Sequence, residues 1–334
     1  GTHFKFNNKP TDMYFSIREM LEGERFDTIC GALQAYTEYL VIKWVKNLIK
    51  KTGIKKISLA GGVAMNVKAN MLVAQIPEVD YVYIPPSPDD SSQSMGAAYA
   101  WLHKNTNENS SLLCQNYAPY QGRGVGSGGI KQIEALITEQ YQDYSLYISI
   151  TPYDVYSVAK LLADGKLVAR CSGNEEFGAR ALGNRSILAD PRHSSIKKII
   201  NEKVKNRGFW MPFACSVIEE RCDEYFKLDS DYDSYRYMTL CCNTTDKGSK
   251  LLQAAIHPYD ETCRPQIVSN SLNPSYHELI CRFGELTNVY ALLNTSLNHH
   301  GAPIVSTAAD ALDVFFKSDL DCLILDQVLV KKVK

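Results

Sequence analysis

The sequence predicts an α/β protein of two modules, and three observations support this prediction. Short apolar runs of strand length alternate with longer segments whose apolar residues recur at helical spacing. Glycine and proline mark the junctions between these segments. A stretch rich in Asn, Ser and Gly interrupts the alternation over 105–129. We therefore predict a first module over 1–104, a linker over 105–149 and a second module over 150–334.

The first module is expected to pair its strands in parallel, because strands that alternate with helices form such layers. It opens with a long amphipathic helix over 30–51, and Gly53 stands where a C-cap is expected. A strand, a helix, a second strand and a helix of small residues follow, predicted over 56–60, 65–74, 81–84 and 96–103.

The second module repeats the alternation of strands and helices. Thr307 and Asp310 have the spacing of a capping pair at the start of its last helix. Its helices are predicted over 155–162, 195–206 and 307–316, and its strands over 167–171, 289–293 and 323–325.

The composition excludes several classes of protein. Of the 334 residues, 45% are apolar and 22% are charged, as in a globular protein with a real core. The net charge of -1 argues against a partner such as nucleic acid or an anionic membrane that is bound through bulk charge. No run of 18 apolar residues predicts a membrane span. The ten cysteines include no C-x-x-C pair, and 1–27 has no apolar signal core, so we expect reduced cysteines and a cytoplasmic location.

Two motifs in the first module are typical of ligand sites. Gly61, Gly62 and Asn66 lie at a strand-to-helix turn, where glycines allow close approach and the helix offers free N–H groups to an anion. The alternative is a tight turn that needs glycine for its dihedral angles. Asp89 and Asp90 precede the small-residue helix, where a carboxylate suits a metal that faces a phosphate. On the residues alone, Asp90 as the N-cap of that helix is the favoured interpretation.

The stretch 173–192 mixes glycines, acids and the arginines Arg180, Arg185 and Arg192 without helical periodicity. Each guanidinium is a rigid fork of donors suited to phosphate or carboxylate, so the stretch predicts an anion site. The alternative is a structural network of these arginines with Glu175, Glu176 and Asp190.

Three further groups of polar residues would be ordinary if each occurred alone. Lys205 and Arg207 follow a predicted helix, and a polar loop carries His257, Asp260, Arg264 and Gln266. The apolar strand at 289–293 opens into Asn294, Thr295, Ser296 and Asn298. Such a strand end commonly faces a ligand.

Together these motifs resemble the carbamoyltransferase family that acts on nodulation factors and on cephamycin- and tobramycin-type antibiotics. The arginine-rich block is its most specific part, and the likeness covers nearly the whole chain from about residue 30 onward. The residues that carry it are 60–66, 90–98, 176–178, 180–192, Lys205, Arg207, 212–214, Arg264, Gln266, 294–298 and 303–305.

The resemblance implies an α/β architecture in which 1–104 is the second lobe of an actin/Hsp70-like ATPase domain. This lobe is akin to the tRNA threonylcarbamoylation protein and transfers carbamoyl groups. The segment 150–334 would be a YrdC-like domain that forms carbamoyl-adenylate. The family's preceding lobe, with its His-x-x-x-His metal ligands, has no counterpart here, so we expect a fragment of a longer enzyme.

The resemblance also implies an O-carbamoyltransferase that uses carbamoyl phosphate, ATP and Mg²⁺ and modifies a hydroxyl of a small-molecule acceptor. Matching positions assign catalytic roles to Lys205, Arg207, Ser296 and Asn298, and substrate or ATP binding to Arg180, Arg185, Arg264, Gln266 and Asn294. Gly61, Gly62 and Asn66 match the nucleotide-contacting turn of the ATPase-like lobe, and Asp90 matches a metal aspartate. A transition metal, Fe or Zn, is expected there only with the missing lobe.

Departures from the family pattern leave alternatives open. Met211 stands where many members have Arg, and Ala179 where many have Pro. A regulatory nucleotide-binding subunit without transfer activity is one alternative, favoured by the missing lobe. A tRNA-modifying enzyme is another, and the charge balance disfavours it. The expected protein partner is the rest of the enzyme or a second copy of the chain.

Overall fold

The computed structural model describes residues 1–5, 11–105, 119–205, 208, 211–229 and 233–333. The α-helices of these residues are α1 (Met13–Leu21), α2 (Phe26–Thr52), α3 (Val67–Ala74), α4 (Gln93–Asn105), α5 (Ile130–Gln140), α6 (Val155–Ala163), α7 (Ser195–Ile200), α8 (Asp246–Leu251), α9 (Pro274–Thr287) and α10 (Ala308–Phe316). The strands are β1 (Lys56–Ser58), β2 (Tyr81–Tyr83), β3 (Ile148–Pro152), β4 (Val168–Cys171), β5 (Arg185–Ala189), β6 (Ala214–Ile218), β7 (Phe226–Lys227), β8 (Cys242–Thr244), β9 (Thr262–Cys263), β10 (Pro265–Val268), β11 (Ala291–Ser296), β12 (Cys322–Leu325) and β13 (Val328–Lys332).

A mixed sheet of eight strands dominates the structure and confirms the α/β prediction. Its strand order is β10-β6-β11-β5-β4-β12-β13-β3, with β10 parallel to β6 and β12 parallel to β4. The other neighbours in this sheet are antiparallel. The strands of the first module, β1 and β2, pair in parallel as predicted.

Both faces of the large sheet are buried, because side chains alternate across each strand. Val168 and Leu188 belong to one apolar cluster with residues of α6 and α9. Ala169 and Ile187, their neighbours along the chain, belong to a second cluster with residues of α5, α7 and α10. The first cluster also contains residues of α2, α3 and β2, so the first module packs against the same core.

The segment 105–149 is not simply the linker that its composition predicts. Within the described part of it, Ile133 and Ile137 of α5 are 1% and 2% exposed and pack in the second cluster. Strand β3 begins inside this segment and completes one edge of the large sheet. The reason is visible in the sequence: apolar residues recur at helical spacing after the glycine-rich stretch, and this periodicity outweighs the preceding polar composition.

Two predicted elements end differently from expectation. The α-helical hydrogen bonding of α7 ends at Ile200, and one wider π-helical turn follows over Asn201–Lys205. Strand β11 continues to Ser296, so the Asn294–Ser296 group lies in the strand and not in a turn. None of the described helices is both long and apolar enough to cross a membrane.

Candidate functional site

A cavity of about 260 Å³ lies at the polar end of β11. The loop that leads into β5, the segment before β6 and the start of β10 form its other walls. Its lining residues are Ala179, Arg180, Ala181, Met211, Pro212, Phe213, Ala214, Met238, Arg264, Asn294, Thr295 and Ser296. The cavity therefore brings together residues from three separate sequence motifs: the arginine-rich stretch, the polar loop with Arg264, and the polar end of β11.

Arg180 and Arg264 give this cavity a positive charge that no acid among the described residues offsets. Within the described part of the chain, neither guanidinium forms an ion pair with a carboxylate, and the buried Nε of Arg264 has no hydrogen-bond partner. Burial lowers the pKa of Arg180 to about 10, and the nearby charge of Arg264 contributes to this shift. Burial also lowers the pKa of Arg264. Two desolvated cations without an acid are unfavourable unless an anion joins them, so the cavity suits an anionic ligand.

Lys205, Ser296 and Asn298 meet at the edge of this cavity, as predicted. Lys205 is 2% exposed. It donates to Ser296 Oγ and Asn298 O at 3.1 Å each and to Asn298 Oδ1 at 2.5 Å, and it also contacts the Ser296 carbonyl. The π-type turn at the end of α7 positions Lys205 for these contacts. Arg207, the fourth predicted catalytic residue, lies outside the described residues.

Asn294 and Gln266 have different roles at the cavity wall. Asn294 Nδ2 donates to Ala181 O, Ser216 Oγ and Gln266 Oε1, while its buried Oδ1 has no partner. Gln266 is 1% exposed, and its amide bonds to Leu182 O at 2.6 Å and to Tyr120 Oη at 3.3 Å. Asn294 thus leaves an acceptor available to a ligand, whereas Gln266 orients Asn294 from behind and is absent from the lining.

The structure corrects the ligand-binding role expected for Arg185. Its guanidinium is buried and donates to five backbone carbonyl oxygens, those of Arg123, Ser172, Gly173, Asn184 and Ser306. These hydrogen bonds stabilise the loops around β5, and Arg185 does not line the cavity. Within one arginine-rich stretch, Arg180 therefore faces the cavity and Arg185 supports the fold.

The acids of the same stretch also support the fold. Glu176 Oε1 accepts from the backbone N–H groups of Leu182, Asn184 and Arg185 at 2.6, 2.9 and 3.1 Å. Arg192 pairs with Asp190 at 2.6 Å. The network of arginines with acids that was considered as an alternative thus holds for Arg192, which pairs with Asp190. The Arg185 guanidinium is also structural, but through backbone carbonyls and not through an acid.

In the Gly61–Asn66 turn of the first module, the space around the glycines is open, whereas the Asn66 side chain is already hydrogen-bonded. Gly61 has φ 97°, and a Cβ at Gly61 or Gly62 would meet nothing within 4 Å. Asn66 Oδ1 accepts from Ala69 N at 3.1 Å and caps α3, and its amide exchanges two hydrogen bonds with Gln34. The glycines leave room for a ligand to approach, whereas the Asn66 side chain already has a structural role.

The acidic pair in the first module is arranged differently from expectation. Asp89, not Asp90, is the N-cap of the 3-10 turn Asp90–Ser92 that leads into α4, since Asp89 Oδ1 accepts from Ser91 N at 3.2 Å. Asp90 is exposed and accepts from Gln93 Nε2 at 3.0 Å. Among the described residues, no three His, Cys, Asp or Glu side chains are placed to hold a metal ion. The Asp90 carboxylate is thus one available ligand, and these residues do not form a metal site around it.

The two modules meet beside the cavity. Asn70 of α3 donates to Thr239 O at 2.9 Å, and Lys68 pairs with Asp260 at 2.6 Å. Burial alone would raise the pKa of Asp260, but the contacts with Lys68 and Thr262 outweigh it and lower the pKa to about 2. Sequence reasoning missed Lys68 and Asn70, because only the folded chain brings α3 beside the loop that precedes Arg264.

A second contact between the two modules positions the loop that carries Arg180. Gly178 has φ 121°, and a Cβ at this position would lie 2.4 Å from the carbonyl oxygen of Pro86. Only glycine fits there without movement of the backbone. The loop therefore rests directly on the first module.

Two family models match this chain. The one described as "Carbamoyltransferase C-terminus" matches residues 159–332, and the one described as "Carbamoyltransferase N-terminus" matches residues 3–99. The first spans the cavity and every strand of the large sheet except β3, and the second spans the Gly61–Asn66 turn and Asp90.

Relatives of known sequence support the same similarity. "Nodulation protein NolNO" of Sinorhizobium fredii is 35% identical over 91% of this chain and 44% of its own length. "Nodulation protein NolO" of Bradyrhizobium diazoefficiens is 33% identical over 91% of this chain and 54% of its own length. The uncharacterized protein MJ1058 of Methanocaldococcus jannaschii is 31% identical over 94% of this chain and 50% of its own length. The chain thus spans about half the length of these relatives.

Among solved structures, full-length HypF in the phosphate- and nucleotide-bound form aligns at 17% identity with a TM-score of 0.36. The alignment covers 56% of this chain and 22% of HypF. This likeness is too remote to identify the fold.

Proposed function

Because the chain belongs to the carbamoyltransferase family, we propose that it carries the carbamoyl-activating site of an ATP-dependent O-carbamoyltransferase. Carbamoyl phosphate and ATP are the proposed substrates, carbamoyl-adenylate is the intermediate, and a hydroxyl of a small molecule is the acceptor. One observation carries the proposal: Arg180 and Arg264 line a cavity in which no described acid neutralises them, beside the Lys205–Ser296–Asn298 group.

Charge and hydrogen bonding define the roles of the residues in this proposal. Arg180 and Arg264 would hold phosphate groups and offset the repulsion between two anionic substrates. The free Oδ1 of Asn294 suits the amino group of a carbamoyl moiety, which is a hydrogen-bond donor. Lys205 would fix the orientation of Ser296 and Asn298 at the cavity edge and supply a further positive charge. Arg207 belongs to the same proposal by its sequence match.

The polar groups that line the cavity also indicate how Mg²⁺ would be bound. The lining formed by described residues contains arginines, an amide and hydroxyls but no carboxylate. Mg²⁺ prefers carboxylate and phosphate oxygens. We therefore propose that Mg²⁺ is bound chiefly by the phosphates of ATP, where it neutralises part of their charge.

Exchange of labelled pyrophosphate into ATP tests adenylate formation. The wild-type chain should exchange only when carbamoyl phosphate is present. Lys205→Ala should abolish this exchange, because loss of one preorganised donor costs roughly 3 kcal/mol, or a hundredfold in rate. Lys203→Ala is the matched control, since Lys203 lies two residues away with a side chain that is 52% exposed. Near-normal exchange by the folded Lys205→Ala variant would refute the assignment.

A nucleotide-binding subunit without transfer activity is the second candidate. This candidate predicts ATP binding by the wild-type chain but no carbamoyl phosphate-dependent exchange. Calorimetric titration with ATP, alongside the exchange assay, separates the two.

The finer fold assignment belongs to the same proposal. We propose that 1–104 corresponds to the second lobe of an actin/Hsp70-like ATPase domain and 150–334 to a YrdC-like domain, with 105–149 between them. The parallel pair β1–β2 and the separate eight-stranded sheet support a division into two modules. Gly61 and Gly62 would approach nucleotide, and Asp90 would ligate Fe or Zn only with further ligands from outside the described residues. The free cysteines among the described residues support a cytoplasmic enzyme.

A further inference from the structure

Two buried side-chain amides lie side by side at the wall of the cavity, and their hydrogen-bond partners fix the orientation of each amide. Asn294 of β11 is 2% exposed, and Gln266 of β10 is 1% exposed. Strand β6 lies between these two strands, and its fully buried Ser216 stands opposite Gln266 in the register of the sheet. An amide and its flipped form occupy nearly the same space, so the partners decide where the oxygen lies.

A backbone carbonyl determines the orientation of the Gln266 amide. Gln266 Nε2 donates to Leu182 O at 2.6 Å. A carbonyl oxygen can only accept, so the amide nitrogen must lie on that side. Gln266 Oε1 lies on the other side, where it accepts from Ser216 Oγ at 2.6 Å and from Asn294 Nδ2 at 3.0 Å. Because the Ser216 hydroxyl gives its single hydrogen to Gln266, its oxygen is left to accept from Asn294.

Three acceptors determine the orientation of the Asn294 amide. Its Nδ2 lies 3.2 Å from Ala181 O, 2.9 Å from Ser216 Oγ and 3.0 Å from Gln266 Oε1. A flipped amide would place Asn294 Oδ1 against Ala181 O and Gln266 Oε1, so that acceptors would face acceptors. The side of Asn294 left for a ligand is therefore the Oδ1 atom, which is buried and has no hydrogen-bond partner among the described residues.

The carbonyl oxygens that set these orientations belong to the loop that leads into β5. Leu182 O also accepts from Tyr120 Oη at 2.9 Å. Leu182 N and Asn184 N both donate to Glu176 Oε1, at 2.6 and 2.9 Å. These contacts hold the peptide groups on both sides of Leu182, so the direction of the two amides is set by the fold before a ligand binds.

A cavity with this acceptor suits a ligand that carries a hydrogen-bond donor close to an anionic group. Arg180 and Arg264 line the same cavity and attract the anion. Asn294 Oδ1 requires an N–H or O–H group. A carbamoyl group offers an N–H there, whereas an acetyl group offers a methyl of similar size and leaves the buried oxygen without a partner.

We propose that Asn294 determines the specificity of the cavity for carbamoyl over acyl groups that lack an N–H, an inference that rests on the proposed function. Ser216 and Gln266 are positioning residues that keep the acceptor oxygen of Asn294 toward the ligand. The cavity arginines cannot make this distinction, because carbamoyl phosphate and acetyl phosphate carry the same phosphate group.

Two stable phosphonates test this specificity through binding alone. Phosphonoacetamide carries the NH₂ group of a carbamoyl phosphate analogue, and acetonylphosphonate carries a methyl group in its place. Calorimetric titration of the 334-residue chain should show about ten- to hundredfold tighter binding of phosphonoacetamide, the usual penalty for leaving a buried acceptor without a donor. Asn294→Leu, which keeps the size of the side chain and removes the acceptor, should make the two affinities nearly equal.

Ser216→Ala tests the positioning role, because it keeps Asn294 and removes one of the acceptors behind it. The preference for phosphonoacetamide should fall, since the Asn294 amide is then held less firmly. Ser318→Ala is the matched control and should leave the preference unchanged. Ser318 is also a buried serine, but its hydroxyl donates to Phe315 O and it does not line the cavity. Thermal unfolding identifies any variant that has lost its fold.

Equal affinity of the wild-type chain for the two phosphonates, or binding of neither, would overturn the inference. So would a preference that persists in folded Asn294→Leu, and an unchanged preference in Ser216→Ala would refute the positioning role. Pyrophosphate exchange distinguishes this failure from that of the proposed function. Exchange without the binding preference refutes only the specificity, whereas the preference without exchange refutes adenylate formation and leaves the specificity of the cavity intact.

Discussion

The cavity of the second module and the Gly61–Asn66 turn of the first module are both polar. They differ in whether their polar side chains have partners within the protein. In the cavity, Arg180 and Arg264 lack an acid among the described residues, and Asn294 Oδ1 lacks a donor. At the turn, Asn66 caps a helix and pairs with Gln34. Unsatisfied buried groups are costly and are retained where a ligand satisfies them. The difference favours the proposal that the cavity binds an anion, whereas the turn offers a ligand mainly open space at Gly61 and Gly62.

The largest change in stability is expected at Arg185. Its substitution tests whether this arginine supports the fold, unlike Arg180 and Arg264 in the cavity. Arg185→Ala should lower the free energy of unfolding by about 4 kcal/mol, because it leaves several buried carbonyl oxygens without a donor. Urea denaturation measures this change. Arg221→Ala is the control, since Arg221 forms a half-exposed pair with Glu224 and should cost at most about 1 kcal/mol. Equal losses in the two variants would contradict the structural role of Arg185.

Arg264→Gln should show the reverse pattern, with function lost and stability kept. Removal of one cation from the cavity should slow carbamoyl phosphate-dependent exchange about a hundredfold, or roughly 3 kcal/mol. The melting temperature should stay the same or rise, because an unpaired buried charge is removed. Arg221→Gln should leave both quantities nearly unchanged. A clear drop in stability with normal exchange would assign Arg264 to the fold instead.

Asp260→Asn tests the junction between the two regions and has a defined pH dependence. The lowered pKa of about 2 means that ionised Asp260 stabilises the fold above pH 4 and that this stability is lost as pH falls toward 2. The variant should lose roughly 1–2 kcal/mol at neutral pH. Its unfolding free energy should also change less than that of wild type between pH 4 and pH 2. Parallel pH profiles for the two proteins would exclude this role of Asp260.

The smallest effect is expected at the turn. Asn66→Ala should lower stability by about 1 kcal/mol, the usual cost of losing an N-cap. Carbamoyl phosphate-dependent exchange should be unaffected, because Asn66 does not line the cavity. Asn66→Asp, which keeps a capping oxygen, is the matched control and should retain most of the stability. Exchange that falls as far as in Arg264→Gln would erase the distinction between the two regions.

The sequence predicted the α/β class and most helices, because hydrophobic periodicity survives without tertiary information. The family resemblance assigned catalytic roles to Lys205, Ser296 and Asn298, and the structure brings these three residues together. It could not separate Arg180 from Arg185. Both lie in the same polar stretch, and strand β5 together with the surrounding loops decides which guanidinium reaches backbone carbonyls.

Two other differences arise from backbone detail that residue types do not specify. Asp89 and Asp90 are chemically identical, and a shift of one residue in the start of the 3-10 turn decides which of them is the cap. The π-type turn at Asn201–Lys205 likewise changes the direction of Lys205 from that of a regular helix. Neither feature has a distinct pattern in the sequence.

The close approach of Gly178 to Pro86 has a consequence for attempts to divide the chain. A second module produced by cleavage between 105 and 119, which leaves α5 and β3 in place, would keep Arg264, Lys205 and the end of β11. Its Arg180 loop would lose the surface against which it rests and would gain conformational entropy. Such a half-protein would retain a correctly folded sheet yet bind anions weakly, and adding back the first module in trans would restore the affinity.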